Sequence, residues 1–132
     1  MQTFLPYPDF KKSAVVLDRQ RLGKQRVECL QLLKGQWSNH PASKMWRGSE
    51  YHLACYGLVI CEEWRQRGYK DTVFDSILEL LKTKYFGTLQ PEWLGNPEFH
   101  LSHQSNLVRK APEHYRKYFP EVPDNLEYVW PV

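Results

Sequence analysis

The sequence predicts an all-α fold, and three observations lead to that prediction. Apolar residues recur every three to four positions in several stretches, which is the period of one helix face. The prolines stand outside those stretches. No stretch alternates apolar and polar residues over the length of a β-strand. The 132 residues are enough for one core, so we expect residues 1–132 to form a single compact domain of four to five helices with extended terminal segments.

The first half of the chain predicts an extended segment followed by two long helices. Two prolines near the start push the residues before them out of the helical region, so residues 1–10 are expected to be extended. Residues 14–34 carry apolar side chains at helical spacing, and Gly35 follows them where a helix commonly ends. After a loop over residues 35–42, the same spacing predicts a helix over residues 43–66.

The second half predicts shorter helices and an irregular end. A helix is expected over residues 73–84, followed by a stretch rich in glycine and proline over residues 85–97. Residues 98–109 have helical spacing, and Pro112 begins a further turn of helix. The proline-rich residues 120–132 are expected to be extended and to pack back on the body of the protein.

Composition narrows the class of protein. No run of 18 apolar residues is present, and the first residues lack the pattern of a signal peptide, so we expect a cytoplasmic protein. Three cysteines without ligand-type spacing are expected to be reduced thiols. The net charge of +3 permits a nucleic-acid partner without requiring one.

The distribution of charge is more informative than its total. Residues 11–26 are dense in lysine and arginine and contain one acidic residue, Asp18. With these cations and 14% aromatic residues, the chain could bind phosphates and stack on bases. A solvated helix face above an aromatic core explains the same composition, and composition alone favours that explanation.

Two arginines fall on the predicted apolar stripe of residues 14–34. Arg26 lies inside the apolar arc, and Arg19 shares its stripe one heptad earlier. A half-buried guanidinium needs an anionic partner. Either a core carboxylate pairs with it, or its planar fork faces a phosphate.

A single carboxylate among cations stands beside that stripe. Arg21, Lys24 and Glu28 follow one another on the flank of the arc, with Lys24 and Glu28 four residues apart. A surface ion pair worth a few tenths of a kcal/mol explains this spacing. Alternatively, Glu28 lies at the rim of a DNA-binding groove, where it stabilises a cation or takes a proton from a sugar.

Four blocks of sequence resemble the pyrimidine-dimer DNA glycosylase family, of the phage endonuclease V type. The blocks are LDRQRLGKQRVE (17–28), NHPASKMWRGSEYHLACYG (39–57), EEWRQRGYKDT (62–72) and FHLSHQSNLVRKAPEHYRKYFP (99–120). The first block is similar to the family segment that ends in its catalytic glutamate, which corresponds to Glu28. The second is similar to the block in which a histidine opens the long central helix, which corresponds to His40.

The resemblance implies an all-α enzyme that works without metal or cofactor. Its nucleophile would be the α-amine of the chain, here that of Met1, which attacks C1′ of a damaged nucleoside and forms a Schiff base. Strand cleavage by elimination would follow, and the opposing base would be flipped out. An α-amine has a reference pKa of about 7.7–8.0, against about 10.4 for lysine, so an appreciable fraction is nucleophilic at neutral pH. We therefore expect Met1, Glu28, Arg26 and His40 to form the catalytic site.

A second set of residues is expected to contact DNA, and each member has a structural alternative. The arginines and lysines could bind phosphate or form ion pairs, the polar residues after position 102 could read bases or lie on a solvated face, and the tyrosines could stack on a splayed base or lie in the core. The set is Arg19, Arg21, Lys24, Arg47, His103, Asn106, Arg109, Lys110, Tyr115 and Tyr118. The spacing of His100 and His103 could ligate zinc, but no third ligand is evident, so no metal is expected.

The resemblance thus implies a DNA glycosylase with AP-lyase activity, a base-excision repair endonuclease acting on damaged or modified pyrimidines in double-stranded DNA. We expect a monomer associated with the nucleoid. Two alternatives stay open: a nucleic-acid-binding module that keeps the scaffold without the amine chemistry, and an enzyme acting on a modified base or nucleotide. Duplex binding that weakens with salt is expected of the first two classes and not of a nucleotide enzyme.

Overall fold

The fold is all-α, as predicted. The computed structural model describes residues 1–132, which contain seven helices and no strand. The helices are α1 (Phe10–Val16), α2 (Arg19–Leu33), α3 (Pro41–Lys44), α4 (Glu50–Gln66), α5 (Val73–Thr83), α6 (Pro97–Lys110) and α7 (Pro112–Tyr115). None of them combines the length and the apolar character needed to cross a membrane.

The prediction of four to five helices is wrong because two predicted helices are each divided. The helix expected over residues 14–34 breaks at Leu17, whose ψ of 136° is extended, so α1 and α2 are separate. Asp9 caps α1 by accepting the N–H of Lys12 at 2.8 Å. The helix expected over residues 43–66 is divided into α3 and α4 by a turn in which Gly48 has a φ of 83°.

The core is built where α2, α4 and α5 pack together. Leu22, Cys29, Ile60 and Ile77 are completely buried there. Gly57 lets α4 approach its neighbours closely, because a Cβ at this position would lie 2.8 Å from Ile77 Cδ1 and 3.1 Å from Cys29 Cβ. This packing fixes the direction of α2, the helix that carries most of the candidate site.

The two ends of the chain pack on this body, and both contact α6. Residues 1–9, which we call the N-terminal segment, contribute Phe4 and Leu5 to the core. Residues 120–132 contain no helix and lie against α6, whose Ser102 and Ser105 hydroxyls accept backbone N–H groups of the tail at 3.2 and 3.0 Å. The N-terminal segment therefore reaches α2 through the interior of the protein.

Candidate active site

A cavity of about 300 Å³ lies where the N-terminal segment meets α2 and the end of α6. Its walls include positively and negatively charged side chains and the first residue of the chain. The side chains that matter for chemistry are Met1, Gln2, Arg21, Lys24, Glu28 and Lys110. We call this cavity the N-terminal pocket.

Glu28 is the only carboxylate in the wall of the N-terminal pocket. It is 8% exposed, and its Oε2 accepts the backbone N–H of Gln2 at 3.4 Å. Burial raises the pKa of Glu28, and the charges of Lys24 and the Met1 α-ammonium together with the Gln2 N–H offset this only partly. A carboxyl group with a raised pKa exchanges protons closer to neutral pH, as a general acid or base must.

The α-amine of Met1 lies within electrostatic range of both Glu28 and His40. Its positive charge lowers the pKa of the Glu28 carboxyl. Burial first, and then the same positive charge, lower the pKa of His40, so this imidazole is neutral at neutral pH. The charge of the Met1 α-amine therefore acts on two of the other predicted catalytic residues.

His40 occupies a different structural position from the one expected. Its Nδ1 accepts the N–H of Ala42 at 3.0 Å, and it caps the short helix α3. The long central helix α4 begins ten residues later, at Glu50. The ring of Trp130 packs edge-on against His40, which fixes the orientation of the imidazole.

Arg26 does not lie in the N-terminal pocket. Its guanidinium forms an ion pair with Asp71, whose side chain is fully buried, and it lies 4.6 Å from the Trp64 ring centre. Burial raises the pKa of Asp71, but the N–H groups of Phe74 and Val73 and the Arg26 guanidinium together lower it by more than burial raises it. The carboxylate therefore stays charged. Of the two alternatives for Arg26, the structure has the core ion pair, which corrects its assignment to the catalytic site.

The predicted phosphate-binding cations are spread over several surfaces. Lys24 and Lys110 are exposed, line the N-terminal pocket and form no ion pair, whereas Arg21 lines it while paired with Asp18 at 3.2 Å. The remaining three predicted cations lie elsewhere. Arg19 lies near the ring of Tyr69, Arg109 donates to backbone oxygens of the tail, and Arg47 donates to Ser38 O beside a separate cavity of about 540 Å³.

Three predicted DNA contacts are wrong because the side chains are buried. His103, Asn106 and Tyr115 each have no exposed surface. Asn106 donates to Ser102 O at 2.8 Å, and the Tyr115 hydroxyl donates to Asp18. Tyr118 is 41% exposed, but it lies on the short C-terminal turn after α7 and does not line the N-terminal pocket.

His100 and His103 bind the backbone of Leu5. The Leu5 N–H donates to His103 Nδ1 at 2.9 Å, and the Leu5 carbonyl lies 2.7 Å from His100 Nδ1. Burial, with a small contribution from His100, lowers the pKa of His103 to about 3, so this ring is neutral and can accept the N–H. The spacing that resembled a zinc motif serves to hold the N-terminal segment.

Gln25 was not predicted as a site residue, and it is fully buried beside the N-terminal pocket. Its side-chain amide binds Gln2 and Phe4 of the N-terminal segment. A signal was present: Gln25 stands three residues after Leu22 and four before Cys29, so it is an uncharged polar residue within the apolar stripe. A buried amide must be hydrogen-bonded, and its partner lies more than twenty residues away in sequence.

Comparison with known proteins agrees with the resemblance seen in the sequence. The family described as pyrimidine dimer DNA glycosylase matches residues 1–76, which include the N-terminal segment, Glu28 and His40. No match was found among curated proteins or among solved structures. Because the family match covers more than half of the chain, this protein belongs to the pyrimidine dimer DNA glycosylase family.

Proposed function

We propose that this protein is a DNA glycosylase with AP-lyase activity that acts on damaged or modified pyrimidines in duplex DNA. The observation that carries the proposal is the presence of the Met1 terminus, Glu28 and two unpaired lysines in one pocket. An amine provides the nucleophile for an imine intermediate, a carboxyl group moves protons, and lysines bind the phosphates on either side of the target.

The proposed reaction begins when the free Met1 amine attacks C1′ of the damaged nucleoside. A C1′–N bond forms, the bond to the pyrimidine breaks, and the base leaves with the bonding electrons and with the first proton that the attacking nitrogen loses. Loss of the second proton of the nitrogen, which is transferred to O4′ as the sugar ring opens, then gives the imine. Removal of a C2′ proton from this imine expels the 3′ phosphate, which cuts the strand.

Glu28 is proposed to move the protons in these steps. As a carboxylate it takes a proton from the attacking nitrogen, and as a carboxylic acid it returns one to O4′ of the opening sugar. Its raised pKa supports this exchange, because both protonation states are then accessible closer to neutral pH. His40, neutral and fixed against Trp130, is proposed to position the amine end of the pocket.

One core that runs through the whole chain supports the proposal that residues 1–132 act as a single domain. Its buried members range from Phe4 to Phe119. The match to the family ends at residue 76, yet Lys110 and Tyr128 also line the N-terminal pocket. The second part of the chain is therefore proposed to contribute to DNA binding.

The test is borohydride trapping on duplex DNA that carries one abasic site, followed by mass mapping of the product. We expect a covalent adduct on the α-nitrogen of Met1. A matched duplex without the abasic site is the control and should give no adduct. Binding without an adduct would overturn the amine mechanism and leave a nucleic-acid-binding module, while absence of both would favour an enzyme acting on a free base or nucleotide.

A further inference from the structure

Residues 2–6 are buried or nearly so, although no strand or helix pairs with them. Backbone N–H and C=O groups in such a position need hydrogen-bond partners, because an unpaired buried amide is costly. Side chains from α2, α4 and α6 supply these partners. The donors and acceptors are Gln25, Tyr56, His100, His103 and Gln104.

Gln25 binds the N-terminal segment at two points on the same edge. Its Nε2 donates to Gln2 O at 2.9 Å, and its Oε1 accepts the N–H of Phe4 at 2.8 Å. The carbonyl of one residue and the N–H two residues later point to the same side of an extended chain, so one amide imitates a neighbouring strand. A slip by one residue would turn these groups away, and Gln25 therefore fixes the register of the segment.

The same helix carries Gln25 and Glu28. The two residues are three positions apart on α2 and lie on the same face of it. The Gln25 side chain donates to the backbone carbonyl of Gln2, while Glu28 accepts the N–H of Gln2 at 3.4 Å. Only one residue separates these contacts from the terminal amine, so the position of that amine relative to Glu28 is set by α2.

We propose that Gln25 is a positioning residue that fixes the position of the Met1 α-amine beside Glu28. This inference rests on the proposed function, because it assigns a role in imine formation. Gln25 does not touch the substrate; it acts through the backbone of Gln2. Misplacement of a reacting group by about 1 Å can lower a rate by roughly 100-fold.

Gln104 offers a matched control on the same segment. Its Nε2 donates to the Pro6 carbonyl at 2.8 Å, which is the same chemical contact as that of Gln25 with Gln2, four residues further from the terminus. Gln25→Met and Gln104→Met each remove one side-chain amide that holds the segment. Only the first should alter the position of the amine.

The experiment measures the single-turnover rate of borohydride-trappable adduct on an abasic duplex, together with the dissociation constant for that duplex. We expect Gln25→Met to slow adduct formation by about 10- to 100-fold with DNA affinity kept within about twofold, and Gln104→Met to change the rate by less than about twofold. Equal slowing by both variants would overturn the proposal, because it would indicate a general structural role. A wild-type rate in a folded Gln25→Met protein would also overturn it.

Hydrogen exchange separates this inference from the proposed function. We expect the amides of residues 2–4 to exchange at least about tenfold faster in Gln25→Met than in the wild type, while Gln104→Met leaves them unchanged. If the wild type forms no adduct but the two variants differ from it in exchange as expected, the amine mechanism is refuted and the positioning of the terminus is retained. Unchanged exchange in Gln25→Met would refute the positioning itself.

Gln25→Glu is the second variant for this test, to be used if Gln25→Met does not fold. A glutamic acid at this position accepts the Phe4 N–H in both protonation states, but it donates to the Gln2 carbonyl only when protonated. We expect its adduct rate, divided by that of the wild type at the same pH, to rise as the pH is lowered. A ratio that is independent of pH would count against the proposal.

Discussion

Two regions of this protein are held together by different interactions. Where α2, α4 and α5 meet, completely buried apolar side chains such as Leu22, Ile60 and Ile77 fill the space between the helices. Around the N-terminal segment, buried polar side chains form hydrogen bonds with individual backbone groups, as Gln25 does with Gln2 O and Phe4 N–H. The first region uses packing, which has no fixed direction, and the second uses directional hydrogen bonds.

The difference follows from what each region has to do. Apolar packing stabilises a fold but tolerates small displacements of the groups involved. A terminal amine that is to react at a sugar carbon needs a fixed position, and directional contacts to the backbone provide it. Buried polar groups such as Glu28 and Gln25 thus lie where chemistry is proposed.

Glu28→Gln is expected to have the largest effect on the polar region. The amide cannot exchange protons with the amine or the sugar, so turnover on an abasic duplex should fall by about 10²- to 10⁴-fold. Its shape is retained, and the Gln2 N–H keeps an acceptor, so duplex affinity should stay within about threefold. Gel-based cleavage and fluorescence anisotropy measure the two quantities, and full turnover in the variant would exclude Glu28 from the reaction.

The same substitution should also make the fold slightly more stable at neutral pH. Because the folded-state pKa of Glu28 is raised, folding disfavours its charged form above that pKa, and the neutral amide removes this penalty. Thermal melts should show a rise of a few degrees at pH 7 that disappears below about pH 4, where the wild-type carboxyl is neutral in both states. A destabilised variant at pH 7 would contradict this account.

Asp71→Asn should have the next largest effect, on the side of α2 that faces away from the N-terminal pocket. It leaves the Arg26 guanidinium without its buried partner, and loss of one member of such a pair costs on the order of 3 kcal/mol of unfolding free energy. Since the folded-state pKa of Asp71 is lowered, its contribution is present above its unfolded pKa and lost as the pH falls through the folded value.

Denaturant melts at several pH values check this expectation. The difference between wild type and Asp71→Asn should be largest at neutral pH and should shrink below about pH 4. Lys11→Met is a suitable control, because its ion pair with Glu63 involves a lysine side chain that is 50% exposed. A difference that persists at low pH would show that the loss comes from packing and not from the ion pair.

Ile60→Ala tests the apolar region. The side chain is completely buried on α4, so its truncation should lower the unfolding free energy by about 2–5 kcal/mol. Adduct formation per folded molecule should stay at the wild-type rate, since the hydrogen bonds of the N-terminal segment are unaffected. Ile60→Val, which should cost about 0.5–1.5 kcal/mol, provides the graded control. A slower reaction in folded Ile60→Ala would mean that the two regions are coupled.

The apolar region could be predicted well from the sequence. The structure has α5 over Val73–Thr83 and α6 over Pro97–Lys110, each within one residue of the range given by helical spacing and flanking signals. Spacing works here because burial selects apolar residues on one face of each helix. It failed at Leu17, where the apolar pattern continues although the backbone is extended. The N–H of Asp18 is bound there by the Tyr115 hydroxyl, 97 residues away, and no local pattern contains that contact.

The polar region could be predicted only in part. The family resemblance pointed to Glu28, His40 and Met1; Met1 and Glu28 line one pocket, and the charge of the Met1 amine lowers the pKa of His40 after burial does. The same approach placed His103, Asn106 and Tyr115 on DNA, although all three are buried. A cluster of donors and acceptors is equally suited to a solvated face, to a phosphate and to the backbone of a buried segment. Only the three-dimensional path of the chain distinguishes these uses: His103 binds Leu5, Asn106 binds Ser102 and the tail, and Tyr115 binds Asp18.

Replacing single lysines and arginines tests which of them face DNA. These substitutions should have the smallest effect of those considered, a change in the salt dependence of DNA affinity. Lys24 and Lys110 line the N-terminal pocket without ion pairs, so Lys24→Met and Lys110→Met should each reduce the slope of log affinity against log salt concentration by about 0.9. Arg26→Met removes a charge that is already neutralised by Asp71, so it should lower stability and leave the slope unchanged. Anisotropy titrations from about 50 to 200 mM salt measure all three slopes. If Arg26→Met reduced the slope as much as Lys24→Met does, Arg26 would have to leave Asp71 when DNA binds, and the separation between the pocket and the core ion pair would be lost.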